Sequence, residues 1–394
     1  MHASTILLRC LSSVLEPMHL ARRRVLLRAV EALVRGRRLT LTDLARSWPG
    51  ATWMHAPLKA LDRLLSNRHL ARTVMPLHRA MAPWLLRQAQ PIILVDWSDL
   101  KGDGRWCLLR ASVPIGGQAL TLLDRIYPIK QISTPKAQAA FLADLKPLIP
   151  VKVVPILVTD AGFRSDWFRA VLAQGWHYVG RVRNNTAARE DGARDWQPCA
   201  VLHRLAKRSP RALGPYEIVK SHPLSCRLVL ARRCRQQRDL LTRCGTPQQG
   251  TTAKKARKSA REPWLLATSL PARHGAANVV AVYGQRMQIE EAFRDLKSHR
   301  YGMGFEDSLT RGIERLTVLL MLNTLAMLAA WLMASAAQPS LSRDPLARQP
   351  RHRNRYSSIR RGLEWLRRRF LPPDIKTAMR SLKIESPFLL EQAS

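Results

Sequence analysis

The hydrophobic pattern of the chain changes at Pro91, and this change constrains the fold more than any other feature of the sequence. Before Pro91, apolar residues recur at three- and four-residue spacing, which is typical of amphipathic helices. After it come short β-rich runs bounded by turn residues: IILV, WCLLRASVPI, ALTLLDRIYPI, VPILV and HYVGRV. Helices are predicted over 136–148 and 165–174, before and after the fourth run. Strands in series, a helix and a returning strand predict a mixed sheet of the α/β class.

Three consecutive regions are predicted along the chain. Residues 1–90 form a helical domain, residues 91–300 contain the sheet, and residues 301–394 form a basic helical region. Between about 184 and 263 the pattern is less regular, with a strand-like CRLVLA and two polar, basic stretches, which predicts an insertion into the second domain. The short strand WLLAT and a long helix over about 276–299 follow this insertion.

The charge of the chain indicates a polyanionic partner. Lys and Arg number 65 against 28 Asp and Glu, a formal net charge of +37, while 46% of the residues are hydrophobic. That apolar fraction excludes a disordered polycation. Nucleic acid is the partner that this charge favours most, because binding it releases counterions, and an anionic membrane surface is the alternative. The arginine-rich segment 343–369 favours phosphate contacts, since the guanidinium fork matches phosphate geometry.

One apolar segment and the cysteines bear on where the protein resides. Residues 316–337 carry no charge and reach the roughly 20 residues that cross a bilayer. Four polar residues interrupt the segment: Thr317, Asn323, Thr324 and Ser335. We therefore interpret the segment as a helix buried in a core. The six cysteines form no C-x-x-C pair, which argues against a zinc ribbon and a disulfide scaffold. Residues 1–16 do not form a secretory signal, so we expect a cytoplasmic protein with reduced thiols.

A pair of short helices in the first region has the order of a helix-turn-helix. Thr42 and Asp43 can cap a first helix over LARSW, Pro49-Gly50 makes a turn, and a second helix runs over about 53–65. This second helix presents Lys59 and Arg63, and in a helix-turn-helix it would enter the major groove of DNA. An ordinary helical bundle with a basic, solvated face is the alternative.

The chain lacks several common catalytic motifs, which leaves its carboxylates as the candidate chemistry. There is no P-loop, no H-E-x-x-H and no G-x-S-x-G. Asp96 directly follows PIILV, and Asp160 directly follows VPILVT, so each is expected at the end of a buried strand. A buried carboxylate needs compensation, and a divalent cation shared by both acids would supply it. Each Asp is also compatible with a helix cap or turn, and Asp99 and Asp103 compete with Asp96.

The long predicted helix places polar groups on one line. At about 100° per residue, four side chains fall within roughly 60° of one another: Tyr283, Arg286, Glu290 and Lys297. A separate stripe faces the core: Val282, Ile289, Phe293 and Leu296. Three carboxylates can hold two Mg²⁺ ions for phosphodiester chemistry, while cations and a phenol hold the flanking phosphates. The sequence therefore predicts a metal-dependent site acting on nucleic acid.

At these residues the chain resembles a known family. Tyr283, Arg286, Glu290 and Lys297 stand in the spacing Y-x2-R-x3-E-x6-K, the signature of DDE transposases of the IS-four family of bacterial insertion sequences. The resemblance is closest to the transposon-ten branch through four segments: LVDWSD (94–99), VTDAGF (158–163), EPWLLAT (262–268) and RMQIEEAFRDLKS (286–298). It implies an RNase H-like catalytic domain with a β-rich insertion, an N-terminal helical DNA-binding domain and a C-terminal helical region for pairing.

The resemblance also implies roles for individual residues. Asp96, Asp160 and Glu290 would form the catalytic triad and bind two Mg²⁺ ions, for which Mn²⁺ can substitute. Phosphates near the transposon end would contact Tyr283, Arg286 and Lys297. Trp264 matches a tryptophan that stacks on a base flipped from the duplex, and Arg181 matches an arginine that contacts the DNA hairpin. Core packing of Trp264 and a solvated arginine at the sheet edge are the alternatives.

The expected function is that of a cut-and-paste DNA transposase. Two protomers would pair two inverted transposon ends, cleave them through a hairpin and join the freed 3′-ends to target DNA, without a nucleotide cofactor and without a membrane. This implies a cytoplasmic, nucleoid-associated bacterial enzyme. Two alternatives remain: an RNase H-like nuclease that cuts without joining, and a non-catalytic DNA-binding repressor or inhibitor from a decayed element.

Overall fold

A computed structural model describes most of the chain and divides it into two compact units. The described residues are 2–183, 186–232, 246, 249–251, 253, 262–300, 302–337 and 357–368. The first unit comprises the described residues of 2–155 and 286–368, and the second those of 156–285. Most of the two basic stretches of the insertion, and the arginine-rich segment apart from 357–368, lie outside the described residues.

Helices stand at both ends of the described chain, and the strands lie between them with two further helices interspersed. The helices are α1 (Ala3–Cys10), α2 (Ser12–Leu15), α3 (Leu20–Gly36), α4 (Leu41–Arg46), α5 (His55–Leu65), α6 (Arg68–Leu85), α7 (Pro135–Leu145), α8 (Ser165–Leu172), α9 (Ala276–Gly284), α10 (Met287–Lys297), α11 (Ile313–Ala337) and α12 (Ser358–Arg367). The strands are β1 (Ile92–Asp99), β2 (Trp106–Pro114), β3 (Ala119–Pro128), β4 (Ile156–Thr159), β5 (His177–Val182), β6 (Ala187–Glu190), β7 (Gln197–Pro198), β8 (Arg211–Ile218), β9 (Leu224–Ala231) and β10 (Trp264–Thr268). Parallel and antiparallel strand pairs both occur, and the predicted mixed α/β class is confirmed.

In the first unit, three antiparallel strands carry charged residues in matching positions. The strand order is β3-β2-β1, and the register places Asp96 opposite Arg110 and Arg110 opposite Asp124. Directly opposed side chains lie on the same face of a sheet. Helix α10 packs on this unit's strands, and its Phe293 ring lies 5.2 Å from the Arg110 guanidinium carbon. The three charges therefore share one face of the sheet.

Helix α11 forms the apolar centre of the first unit. It packs against α1, α3, α5, α6, α12 and β3, and 89% of its most apolar stretch is buried. Among the described residues, α11 alone is long and apolar enough to cross a membrane, a property that buried core helices share. The backbone of α12 approaches α11 so closely that a Cβ atom at Gly362 would lie 1.7 Å from the Ala330 carbonyl oxygen. This burial agrees with the core-helix interpretation.

The predicted pair of short helices is present, with a different cap. Helix α4 begins after Thr40, whose hydroxyl accepts a hydrogen bond from the Asp43 N–H at 3.1 Å, so Thr40 caps the helix rather than Thr42. The second helix, α5, begins at His55 instead of about residue 53. Thr40 has the extended backbone that is typical of an N-cap residue, and Leu44 in the first turn of the helix is buried.

The strands among the described residues of the second unit follow the order β4-β5-β10-β9-β8-β6-β7. Strands β4 and β5 are parallel, and the remaining pairs are antiparallel. Helices α8 and α9 pack on this unit's strands. The strand-like CRLVLA of the insertion lies in β9. Phe168 of α8 lies over β5 at Gly180, where a Cβ atom would be 2.3 Å from the ring.

The prediction of one long helix over about 276–299 is wrong in one respect. It consists of two helices, α9 and α10, separated by a turn at Gln285 and Arg286. The backbone of both turn residues stays in the right-handed helical region, and Gly284 ends α9. Glycine lowers helix stability by about 1 kcal/mol relative to alanine, which explains a break at this position.

Candidate active site

Asp96 lies inside strand β1 and is bound by an arginine. The prediction that Asp96 lies at the end of its strand is wrong, because backbone pairing continues to Asp99 after the apolar run has stopped. Asp96 is 8% exposed. Its Oδ1 atom accepts the N–H of Trp97 at 2.9 Å, and its Oδ2 atom accepts a hydrogen bond from Arg286 Nη1 at 3.1 Å. A buried carboxylate is therefore compensated by a cation within the chain.

Glu290 meets the same guanidinium group. It lies in the first turn of α10, one helical turn after Arg286, and its Oε1 atom accepts a hydrogen bond from Arg286 Nη2. The Arg286 side chain is 14% exposed and the Glu290 side chain 42% exposed. The structure thus brings together two of the predicted acids, Asp96 and Glu290, on the two terminal nitrogens of one arginine.

Lys297 joins the other end of α10 to the same strand. It is the last residue of the helix, and its Nζ atom donates to the backbone carbonyl of Asp99, the last residue of β1, at 2.9 Å. Its Nζ atom also lies 4.0 Å from the Glu306 carboxylate. Between these contacts, the predicted apolar stripe faces the core: Ile289, Phe293 and Leu296 are buried. Contacts with β1 at both ends therefore fix the position of α10.

In the second unit, Asp160 directly follows β4, as predicted. Its Oδ1 atom accepts the backbone N–H of Gly162 at 2.8 Å, which shapes the turn after the strand. This is the local hydrogen bond that the turn alternative predicts for an Asp at this place.

Two aromatic residues predicted to contact DNA pack against each other in this unit. Tyr283 of α9 is 2% exposed. Its ring centroid lies 4.7 Å from that of Trp264, at the start of β10, in an edge-to-face arrangement. Contacts of this geometry stabilise aromatic pairs. The structure therefore assigns both rings a packing contact.

Arg181 belongs to a half-buried ionic group. It lies on β5, between β4 and β10, so the alternative of an arginine at the sheet edge is wrong. Glu262 binds Arg183 through Nε at 2.9 Å and lies 3.8 Å from Arg181 Nη2. Arg183 is not among the site residues that the sequence predicts. Its signal is the spacing of two residues from Arg181: Arg183 lies just after the end of β5, and in extended backbone alternate residues point to one side.

A basic cleft of about 1080 Å³ opens in the second unit next to the Asp160 turn. Its charged side chains include Arg164, Arg181, Arg183 and Lys220, with Asp166 as the acid. The turn that carries Lys220 has a strained backbone, since the preceding Val219 has a φ of 67°, which is rare for a β-branched residue. The excess of cations suits an anionic ligand.

The cations of the helix pair are exposed. Lys59 and Arg63 line a groove of about 460 Å³ on α5 together with Leu41, Leu58 and Asp62. Asp62 accepts a hydrogen bond from Arg315 Nη2 at 2.7 Å, which ties α5 to α11. The second helix of the pair therefore presents its cations from a supported position.

The carboxylates of the first unit have the donor chemistry of a Mg²⁺ site. Carboxylate oxygens are the hard ligands that Mg²⁺ prefers, and Asp96 and Glu290 already converge on one cationic group. Within the described residues, no group of three or more His, Cys, Asp or Glu side chains is arranged to hold a metal ion. The two carboxylates of this unit thus fit a divalent cation by type, with Arg286 as their present counter-ion.

Comparison with known proteins identifies the central part of the chain. A family model described as "Transposase DDE domain" matches residues 87–329, more than half of the chain. The matched range contains Asp96, Asp160, Arg286, Glu290 and Lys297. A mixed sheet with helices is consistent with an RNase H-like core for such a domain. A search among curated proteins found no match.

Proposed function

Because the chain belongs to the family of transposases with a DDE domain, we propose that it is the transposase of a bacterial insertion sequence of the IS-four family, closest to the transposon-ten branch. The family consists of enzymes that cut DNA and transfer its strands, and it typically uses divalent metal ions. The finer steps that we propose are cut-and-paste excision through a hairpin and joining of the excised ends to target DNA by a homodimer.

One observation carries this proposal: two carboxylates from distant parts of the chain share one guanidinium group. Asp96 and Glu290 reach Arg286 from β1 and from α10. We propose that both acids, together with Asp160 of the second unit, form the catalytic triad. Two Mg²⁺ ions held by these residues, or Mn²⁺ in their place, would activate the attacking oxygen and stabilise the leaving oxygen.

The other predicted site residues would position DNA. Arg286 and Lys297 supply cations beside the carboxylates, and Tyr283 is proposed to contact a phosphate near the transposon end. Trp264 and Arg181 are assigned to the flipped base and the hairpin. Binding of the inverted ends falls to the exposed Lys59 and Arg63 of α5. The basic cleft with Lys220 lies next to the Asp160 turn, and we assign it to the DNA backbone.

The proposed reaction exchanges or hydrolyses one phosphodiester at a time. Water cuts one strand at the transposon end and leaves a 3′-hydroxyl. That hydroxyl attacks the phosphodiester of the opposite strand, which closes a hairpin and releases the flanking DNA, and water then reopens the hairpin. The freed 3′-hydroxyl finally attacks target DNA. Each attack releases one oxygen leaving group, so no nucleotide is consumed.

The proposal is tested by cleavage of DNA that carries the element's own ends. We expect Glu290→Gln, Asp96→Asn and Asp160→Asn to abolish Mg²⁺-dependent cleavage while DNA binding persists. Glu291→Gln is the matched control, because Glu291 pairs with Arg294 on the same helix. Normal cleavage by a triad variant would overturn the assignment of that residue. Joining of a precut end to a plasmid distinguishes a transposase from a nuclease that only cuts, and from a non-catalytic repressor.

A further inference from the structure

Arg286 engages one carboxylate oxygen of each of two candidate metal ligands. Arg286 Nη1 binds Asp96 Oδ2 at 3.1 Å, and Nη2 binds Glu290 Oε1. The second oxygen of Asp96 is engaged as well, since it accepts the N–H of Trp97. A cation that binds Asp96 Oδ2 and Glu290 Oε1 therefore competes with the guanidinium group for these two oxygens.

Electrostatics explains why the pair forms. Asp96 is 8% exposed, and a buried carboxylate without a partner is costly. A second carboxylate beside it adds repulsion, which one cation between the two offsets. Once the guanidinium group is bound, it disfavours a divalent ion at the same oxygens, because the two cations repel each other.

We propose that Arg286 is an exchangeable internal counter-ion: it holds Asp96 and Glu290 in the DNA-free protein, excludes the divalent cation, and transfers to a DNA phosphate when DNA binds. This inference rests on the proposed function, since it takes both acids as metal ligands. Phosphate suits the transfer because guanidinium groups bind it with two hydrogen bonds. DNA binding and metal binding are then coupled, and each strengthens the other by the same factor.

The test measures Mn²⁺ binding, by electron paramagnetic resonance, to the full-length protein with and without end DNA. In the unmodified protein we expect DNA to tighten Mn²⁺ binding by about 5- to 150-fold. Arg286→Gln removes the competing charge, so it should tighten Mn²⁺ binding without DNA and abolish the effect of DNA. Arg286→Lys keeps the charge and should keep the weak DNA-free binding. Arg294→Gln, on the same helix and paired with Glu291, should behave as the unmodified protein does.

The outcomes separate this inference from the proposed function. If Asp96→Asn and Glu290→Gln bind Mn²⁺ as tightly as the unmodified protein, the two acids are not the metal ligands and the proposed triad fails. If both variants lose Mn²⁺ binding, but neither DNA nor Arg286→Gln changes the affinity, only the exchange is overturned. The comparison with and without DNA needs no variant, so poor folding of Arg286→Gln leaves the test intact.

Discussion

Arg110 and Asp124 form a buried ion pair across β2 and β3, with Arg110 Nε 2.7 Å from Asp124 Oδ1 and Arg110 Nη2 2.8 Å from Asp124 Oδ2. Arg110 is 1% exposed. It also lies opposite Asp96 in the sheet register, so this pair supports the strand that carries the candidate carboxylate.

Asp124→Asn is expected to destabilise the protein strongly, because it leaves the buried guanidinium without its carboxylate. Breaking one partner of a buried pair costs about 3–5 kcal/mol. Urea denaturation at neutral pH measures the change. Asp144→Asn is the control, since the Asp144 side chain, 2.6 Å from Arg125, is 43% exposed and a pair of this kind contributes at most about 1 kcal/mol. Equal losses in the two variants would contradict the prediction.

Protonation of His78 is expected to make stability fall in mild acid. Burial lowers the pKa of this residue to about 4 in the folded chain, from an ordinary value of 6.5. Between these values the unfolded chain binds a proton that the folded chain does not, so stability falls as the pH drops below 6.5. The loss at pH 4.5 is about 2–3 kcal/mol, and above pH 6.5 this residue contributes no pH dependence.

His78→Gln should remove this component of the pH dependence, as followed by urea denaturation at pH 7 and pH 4.5. His69→Gln, at an exposed position on the same helix, is the matched control for the substitution itself. A His78→Gln variant with an unaltered difference between the two pH values would show that this histidine does not titrate as expected.

Gly180→Ala is expected to destabilise the second unit by about 1–3 kcal/mol through overpacking. Its new methyl group would lie 2.3 Å from the ring of Phe168, which is fully buried. Adding Phe168→Leu should reduce the penalty, which a double-mutant cycle by thermal denaturation measures. Gly284→Ala has open space around it in α9 and should raise stability by up to about 1 kcal/mol. A harmless Gly180→Ala would contradict the packing.

Replacing Lys59 and Arg63 with alanine is expected to weaken binding to the transposon ends. If both cations contact phosphates, the slope of log affinity against log salt concentration should decrease by about 2. Fluorescence anisotropy at several salt concentrations gives the slope. Lys136→Ala, an exposed lysine on α7, should leave the slope unchanged. An unaltered slope in the double variant would exclude α5 from the DNA contact.

Lys220→Ala tests the basic cleft in the same way. Lys220 is exposed at its rim, so thermal stability should stay the same while the salt slope decreases by about 1. Arg208→Ala, an exposed arginine of the same unit that does not line the cleft, is the control. Equal slopes for Lys220→Ala and the unmodified protein would remove the cleft from the DNA path.

Helical spacing predicts the contacts of the candidate site that lie within one helix. It does not predict the contacts between segments that are distant in the sequence. The four-residue interval between Arg286 and Glu290 places them on one side of a helix, and their ion pair agrees with that geometry. No periodicity relates Arg286 to Asp96, because their contact joins a helix to a strand far away in the sequence. Lys297 shares the predicted line, yet it binds the carbonyl at the end of β1.

Local patterns also misplace the ends of elements. Apolar composition stops at Val95, but strand β1 continues to Asp99, because backbone pairing with β2 does not depend on apolar side chains. The turn between α9 and α10 is equally hidden, since the hydrophobic stripe continues through Val282 and Ile289, which are both buried. The interior position of Arg181 is hidden for a related reason, since strand order, which decides whether β5 is an edge strand, is a property of the whole sheet.

The tight approach of Gly362 to Ala330 bears on how the C-terminal part of the chain can be studied. Helix α12 buries Ile359, Leu363, Trp365 and Leu366, and its Glu364 binds Arg37 of α3 at 2.6 Å. A protein that ends before residue 357 would expose to water the apolar side of α11 that α12 covers. Truncation would therefore confuse a loss of stability with a loss of dimerisation through the C-terminal region. Point substitutions on the outer side of α12 test dimerisation without removing this packing.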